Sequence, residues 1–141
     1  MAEFKIPTEQ VTLPSKGLLY PKESPLAKGE IEMKYMTAKE EDILTNANYI
    51  RQGTVFDKLL QALIVTDINY NDLLVGDKNA ILIAARILGY GKDYTIGYGS
   101  SEITIDLTTL SEKAVDYSLF KNQINEFTFA LPKSGLSLIH I

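Results

Sequence analysis

The sequence predicts an α+β fold with a central three-helix cluster, short antiparallel strands and an extended N-terminal arm. Three observations predict it: a segment near residue 30 that alternates polar and apolar residues, three apolar stretches with helical spacing, and a glycine turn between two further alternating segments. The 141 residues are enough for one compact domain. We expect an arm over residues 1–28 and a single α+β domain over residues 29–135.

The arm and the first strand are predicted from their turn residues and their alternation. Prolines at 14, 21 and 25 exclude regular structure from residues 11–28. Gly29 to Met36 then alternates, which is typical of a half-buried strand. Its apolar face carries Ile31, Met33 and Tyr35.

Three helices are expected after this strand, over Thr37–Ala47, Thr54–Val65 and Asp77–Leu88. The first begins with a capping-box pattern, and the third is apolar on almost every side, as in a helix at the centre of a domain. The acidic residues in the first turns of the first helix are interpreted as surface charges that complement the helix dipole; they are Glu40, Glu41 and Asp42.

The C-terminal half is predicted to be β-structure. Tyr94–Tyr98 and Glu102–Leu107 flank a short glycine-serine segment, the pattern of a hairpin. Phe127–Leu131 is expected to be a final strand. The last six residues, 136–141, resemble a translated sequencing-adapter end, so we predict a non-native tail and a domain cut short at its C-terminus; the alternative is a genuine apolar strand.

Composition argues against several classes of function. The net charge of −4 lacks the basic excess of a general nucleic-acid binder. No apolar run is long enough for a membrane helix, and the N-terminus lacks the apolar core of a signal peptide. With no cysteine, disulfides and thiolate metal sites are impossible. We therefore predict a soluble, cytoplasmic protein that binds neither nucleic acid nor a membrane.

The sequence offers little for catalysis. Its one histidine, His140, lies in the suspect tail, and a nucleophilic triad needs a base. The glycines at 89 and 91 follow a helix and precede a strand, and those at 97 and 99 lie where two strands join. A phosphate loop instead lies after a strand and before a helix. We predict no catalytic residue, no metal, no cofactor and no small-molecule substrate, so the protein is not expected to be an enzyme.

Residues 13–44 carry a specific combination of an extended Leu-Pro-Ser-Lys-Gly segment, a strand and a capped acidic helix. In this combination the chain resembles the baseplate hub and tail-assembly (chaperone) family of T-even-type bacteriophages. The first matching block comprises Leu13 to Gly17, Tyr20-Pro21, Gly29 and Met36 to Leu44. The weaker blocks comprise Asn71 to Leu74, Gly76-Asp77, Arg86, Gly89 to Gly91, Tyr94, Ile105 to Leu107 and Leu110.

The resemblance implies a baseplate hub subunit, or an assembly protein that binds hub or other tail proteins during tail morphogenesis. It places the protein in the host cytoplasm during assembly, and in the virion baseplate if it stays there. Another phage structural subunit and a small host-directed regulatory binding module remain as alternatives. The resemblance also implies a Cys-x-x-Cys knuckle between the hairpin strands, which many relatives carry and which would suit a zinc ion. The serines at the tip in this sequence cannot replace such ligands.

Four residues are candidates for partner binding. Leu18, Leu19 and Tyr20 belong to an extended apolar segment that can lie on a neighbouring subunit or wrap its own domain. Arg86 lies in the most apolar helix, where a buried guanidinium needs a carboxylate. Either an acidic residue of this chain pairs with it and fixes helix packing, or Arg86 contacts a partner protein. The intramolecular candidates are Glu40, Glu41, Asp42, Asp57 and Asp72.

Overall fold

The computed structural model describes residues 7–111, 113–120, 127–132, 134 and 137–140. Within these residues the chain forms four α-helices and three antiparallel two-stranded sheets, which confirms the predicted α+β class. The helices are α1 (Ala38–Thr45), α2 (Ala47–Gln52), α3 (Val55–Leu63) and α4 (Val75–Tyr90). The strands are β1 (Thr8–Thr12), β2 (Glu30–Lys34), β3 (Asp93–Tyr98), β4 (Ser101–Asp106), β5 (Phe127–Ala130) and β6 (Ser137–His140).

The first sheet joins the N-terminal segment to the domain. β1 pairs antiparallel with β2, so that Val11 lies opposite Ile31. β2 confirms the alternating strand, and its apolar residues are buried. β1 is an additional strand in the region predicted to be an arm. The segment after it turns back on the domain and contributes Leu13, Tyr20 and Leu26 to the same core as α3 and α4.

The helix prediction is correct in type and incomplete in number. α1 and α3 lie within the predicted ranges, but a further helix, α2, follows α1 directly. Asn46 separates them because its side-chain Oδ1 accepts hydrogen bonds from the backbone N–H groups of Asn48 at 3.0 Å and Tyr49 at 3.3 Å, which caps α2. Gly53, with φ of 69°, ends α2.

Helix α4 is longer than predicted and less buried. It begins at Val75 and ends at Tyr90, beyond both limits of the predicted helix. Ile81 and Ala85 are buried, whereas the Ile83 side chain is 36% exposed. The expectation of a helix buried on all sides is therefore wrong, because the small core formed with α3 and the N-terminal segment covers only one face of α4.

The C-terminal predictions fall partly outside the described residues. β5 confirms the final strand, and it pairs with β6, which covers four residues of the predicted non-native tail. Residues 136 and 141 of that tail lie outside the described part, as do residues 112, 121–126, 133 and 135. The origin of the tail stays a prediction.

Glu40 is a buried anion, and the interpretation of it as a surface charge is wrong. Glu40 is 1% exposed, and its carboxylate accepts a hydrogen bond from Lys34 Nζ at 2.8 Å. It also accepts from the Thr37 backbone N–H at 3.1 Å, which completes the predicted capping box. Burial raises the pKa of Glu40, but the hydrogen bonds from Lys34 and Thr37 outweigh it and lower the pKa to about 2.

This pairing predicts an acid-sensitive contribution to stability. Because the folded-state pKa is about 2 and the ordinary value is 4.5, the contribution is present above the ordinary pKa and disappears as the pH falls through the folded one. We expect the difference in free energy of unfolding between the wild type and Glu40→Gln to shrink by about 3 kcal/mol between about pH 6 and about pH 2. Urea titrations across this range measure it. The exposed control Glu23→Gln should differ from the wild type by less than about 0.5 kcal/mol throughout, and a Glu40→Gln difference that is equally large at both pH values would contradict the assignment.

Candidate functional site

The Leu-Pro-Ser-Lys-Gly motif is fastened to the start of α4 through Asp77. The carboxylate of Asp77 accepts hydrogen bonds from the Ser15 backbone N–H at 3.0 Å, from Ser15 Oγ at 2.7 Å and from the Tyr20 hydroxyl at 2.5 Å. The Tyr20 oxygen in turn accepts from the Leu74 backbone N–H at 3.0 Å. Asp77 is 1% exposed, so these donors replace the water that a carboxylate otherwise binds.

This arrangement corrects the prediction that Tyr20 contacts a partner. The Tyr20 side chain is 3% exposed, and its hydroxyl both donates and accepts within the domain. Burial, together with the hydrogen bond to Asp77, raises the pKa of Tyr20 well above its ordinary value. Tyr20 is therefore a neutral core residue that positions the motif, and it is not available at the surface.

Leu18 and Leu19, the other two candidates from this segment, are half-buried. Leu19 lines a groove of about 510 Å³ between the motif, the start of α4 and residues 113–120. Tyr117 closes one side, where the centre of its ring lies 4.0 Å from Lys16 Nζ. A partner role for Leu18 and Leu19 stays a prediction. The other lining residues are Pro14, Ser15, Leu74, Gly76, Asp77, Lys113, Val115 and Phe120.

Arg86 lies between two tyrosine rings near the end of α4. Its guanidinium carbon is 5.0 Å from the centre of the Tyr90 ring and 5.6 Å from that of Tyr94, and its Nη1 donates to the Gly91 carbonyl oxygen at 3.2 Å. Among the described residues the ion pairs are Lys34–Glu40 and Lys92–Asp106, and none includes Arg86. The predicted intramolecular carboxylate partner of Arg86 is therefore wrong for this part of the chain.

The predicted hairpin is confirmed. β3 and β4 pair directly around a turn at Gly99, whose φ of 61° suits the first central position of a type II′ turn. Because Tyr94 lies opposite Ile105 and Ile96 lies opposite Ile103, these apolar side chains share one face of the hairpin, together with Tyr98. We call this the apolar hairpin face.

The apolar hairpin face is open to solvent. Ile96 is 42% exposed, Ile103 is 50% exposed and Tyr98 at the tip is 77% exposed. Arg86 lies at its base, because the guanidinium contacts the ring of Tyr94. A two-stranded sheet has little stability of its own, so exposure of its apolar side is costly unless something else covers it.

The opposite face of the hairpin is polar and carries paired side chains. Lys92 Nζ binds Asp106 at 2.7 Å, and the hydroxyls of Thr95 and Thr104 lie 2.9 Å apart. Hydrogen bonds from Lys92 and Thr108 lower the pKa of Asp106 to about 2. The hairpin is thus amphipathic, with its charges and hydroxyls on the side away from Arg86.

The described residues contain no group of three or more metal-binding side chains. No helix in the same part of the chain is long and apolar enough to cross a membrane. Comparison with protein-family models, with curated proteins and with solved structures gives no match.

Sequence reasoning found Arg86 but missed the apolar hairpin face. The signal was present in Tyr94, Ile96 and Tyr98 opposite Ile103 and Ile105. Alternation of this kind predicts one covered face, and the sequence does not reveal whether the cover comes from the same chain. The exposure of these side chains shows that the described residues leave much of their area uncovered.

Proposed function

We propose that this chain is a protein-binding component of bacteriophage tail assembly, either a subunit of the baseplate hub or a hub and tail assembly chaperone. The apolar hairpin face is the observation that carries the binding role. Contiguous exposed apolar side chains on a soluble domain mark sites of contact with other molecules. The aromatic tip and the neighbouring arginine belong to the residue types enriched in protein interfaces.

The resemblance to the hub family supports the assignment to phage tails. Its first block and one of its weaker blocks meet in space, since Ser15 and Tyr20 from the first bind Asp77 from the other. Residues that lie 62 and 57 positions apart are therefore parts of one structural unit. If this chain and the hub family have the same framework, residues from both blocks should match the family pattern, and they do. The proposed partners are other hub or tail proteins, met in the host cytoplasm during assembly.

Deletion of the gene from the phage genome tests this function. We expect the loss of finished tails and of infectious particles, because a missing hub component stops baseplate closure. A plasmid copy of the wild-type chain should restore both. Electron microscopy of lysates and plaque counts measure the result, and normal numbers of tails would reject the proposal.

The fate of the protein separates the two forms of the proposal. Stoichiometric presence in purified virions identifies a structural subunit, and absence from virions combined with loss of tails identifies an assembly chaperone. Capture of a cellular protein together with normal tail formation would instead favour a host-directed regulatory module.

A further inference from the structure

We infer that the apolar hairpin face is the docking site for one amphipathic helix of another protein, and that this helix carries a carboxylate opposite Arg86. This inference rests on the proposed binding function and names the chemistry of the partner. It follows from the dimensions of the hairpin, from the distribution of its charges and from the position of Arg86.

The dimensions fit a single helix. Each strand has six residues, which gives a face about 20 Å long at about 3.3 Å per residue. Two strands about 4.8 Å apart give a width of about 10 Å, which matches the diameter of an α-helix. About 13 helical residues span this length at 1.5 Å per residue. A strand added to the edge of the hairpin would pair its backbone and leave the apolar side chains exposed.

The position of Arg86 favours a partner with an acidic residue. Arg86 is held in place by the Gly91 carbonyl and by two tyrosine rings, and it forms no ion pair with a described residue. Partial burial and the Glu41 carboxylate raise the pKa of Tyr90, so Glu41 interacts with the tyrosine that lies beside Arg86. An incoming carboxylate would meet a preoriented guanidinium beside the apolar face, the geometry in which arginine contributes strongly to interfaces.

A second copy packed hairpin to hairpin does not supply this carboxylate. The acidic residues of the hairpin, Asp93, Glu102 and Asp106, all lie on the polar face. Two apolar hairpin faces packed together would therefore bring no hairpin carboxylate to Arg86.

The test uses the full chain and three synthetic peptides of about 14 residues. The first is an amphipathic helix with leucines on one side and glutamates beside them. The second has lysine in place of each glutamate. The third has the composition of the first in an order that scatters the leucines around the helix. Fluorescence anisotropy gives the dissociation constants, and amide NMR shifts show where the peptide binds.

We expect the glutamate peptide to bind with shifts concentrated in β3 and β4, and at least about tenfold more tightly than the scattered peptide. The variant Ile96→Thr/Ile103→Thr should weaken binding by about tenfold or more, while Glu102→Gln on the polar face should leave it unchanged. Arg86→Glu should reverse the preference, so that the lysine peptide binds more tightly than the glutamate peptide. Circular dichroism confirms that each variant is folded.

Several outcomes would overturn the inference. They are equal binding of the ordered and scattered peptides, an unchanged peptide preference in Arg86→Glu, binding as a strand at the hairpin edge, and a dimer of the free chain that depends on Ile96. If the variant Ile96→Thr/Ile103→Thr unfolds, the peptide preference of Arg86→Glu is the measurement that tests the inference. If gene deletion abolishes tails but no peptide binds, the proposed function stands and the docking site is rejected. If the glutamate peptide binds as expected but tails form normally without the gene, the docking site stands and the function in tail assembly is rejected.

Discussion

Replacement of Asp77 by alanine is expected to lower the free energy of unfolding by about 3–5 kcal/mol, a large part of the stability of a domain of this size. The change removes the acceptor of three hydrogen bonds at once. It leaves the Tyr20 hydroxyl and the Ser15 hydroxyl and N–H without their partner, and each unpaired buried group costs about 1–3 kcal/mol. It also removes an anion from the first turn of α4.

Thermal and urea unfolding followed by circular dichroism measure this effect. We expect Tm to fall by about 10–20 °C. The exposed aspartate Asp67 gives a matched control, and Asp67→Ala should change stability by less than about 0.5 kcal/mol. Tyr20→Phe should cost about 1–2 kcal/mol, because it removes one donor and leaves the Leu74 N–H unpaired.

A double-mutant cycle identifies the contact itself. If Tyr20 and Asp77 stabilise the domain through their mutual hydrogen bond, the combined variant should cost less than the sum of the two single variants. Additive costs, or an Asp77→Ala protein within about 1 kcal/mol of the wild type, would show that the cluster does not hold the motif in place.

The same cluster shows which parts of the fold the sequence could predict. Local patterns gave β2, the capping box of α1 and the hairpin, because alternation, capping residues and turn glycines act over a few positions. The contacts of Asp77 join residues 57 and 62 positions apart, and no local pattern encodes them. β1 was missed for a related reason: its sequence is mostly polar, and it becomes a strand through pairing with β2.

The burial of charges was equally hard to predict. The sequence predicted surface positions for the acids of α1, which is correct for Glu41 and Asp42 and wrong for Glu40. It offered an intramolecular ion pair as one of two roles for Arg86, and no described residue forms that pair. Glu40 is buried because Lys34 and Thr37 satisfy its carboxylate, and Arg86 is half-buried beside the rings of Tyr90 and Tyr94. The type of a charged residue does not by itself specify whether it is buried or exposed, because a buried charge is allowed when protein hydrogen bonds replace those to water.

Gly17→Ala is expected to be among the most destabilising single-methyl additions in the chain. Gly17 has φ of 73°, a left-handed conformation that costs an L residue about 1–2 kcal/mol. A Cβ atom at this position would also lie 2.3 Å from the carbonyl oxygen of Ala27, where the motif crosses the turn before β2. Overpacking against backbone adds about 1–3 kcal/mol, so the total is about 2–5 kcal/mol.

Gly53 separates the two causes of this cost. Its φ of 69° is nearly the same, but a Cβ there would meet no atom within 4 Å. Gly53→Ala should therefore show the conformational cost alone, about 1 kcal/mol, and the difference between the variants measures the crossing of the two backbone segments. Urea unfolding of both proteins gives this difference. Equal losses would mean that Gly17 is required only for its φ, so that the motif need not pass so close to Ala27. A difference of about 2 kcal/mol or more would mean that Gly17 is needed because the two backbone segments pack closely there. The glycine would then be required for the same framework in which Ser15 binds Asp77 at the start of α4.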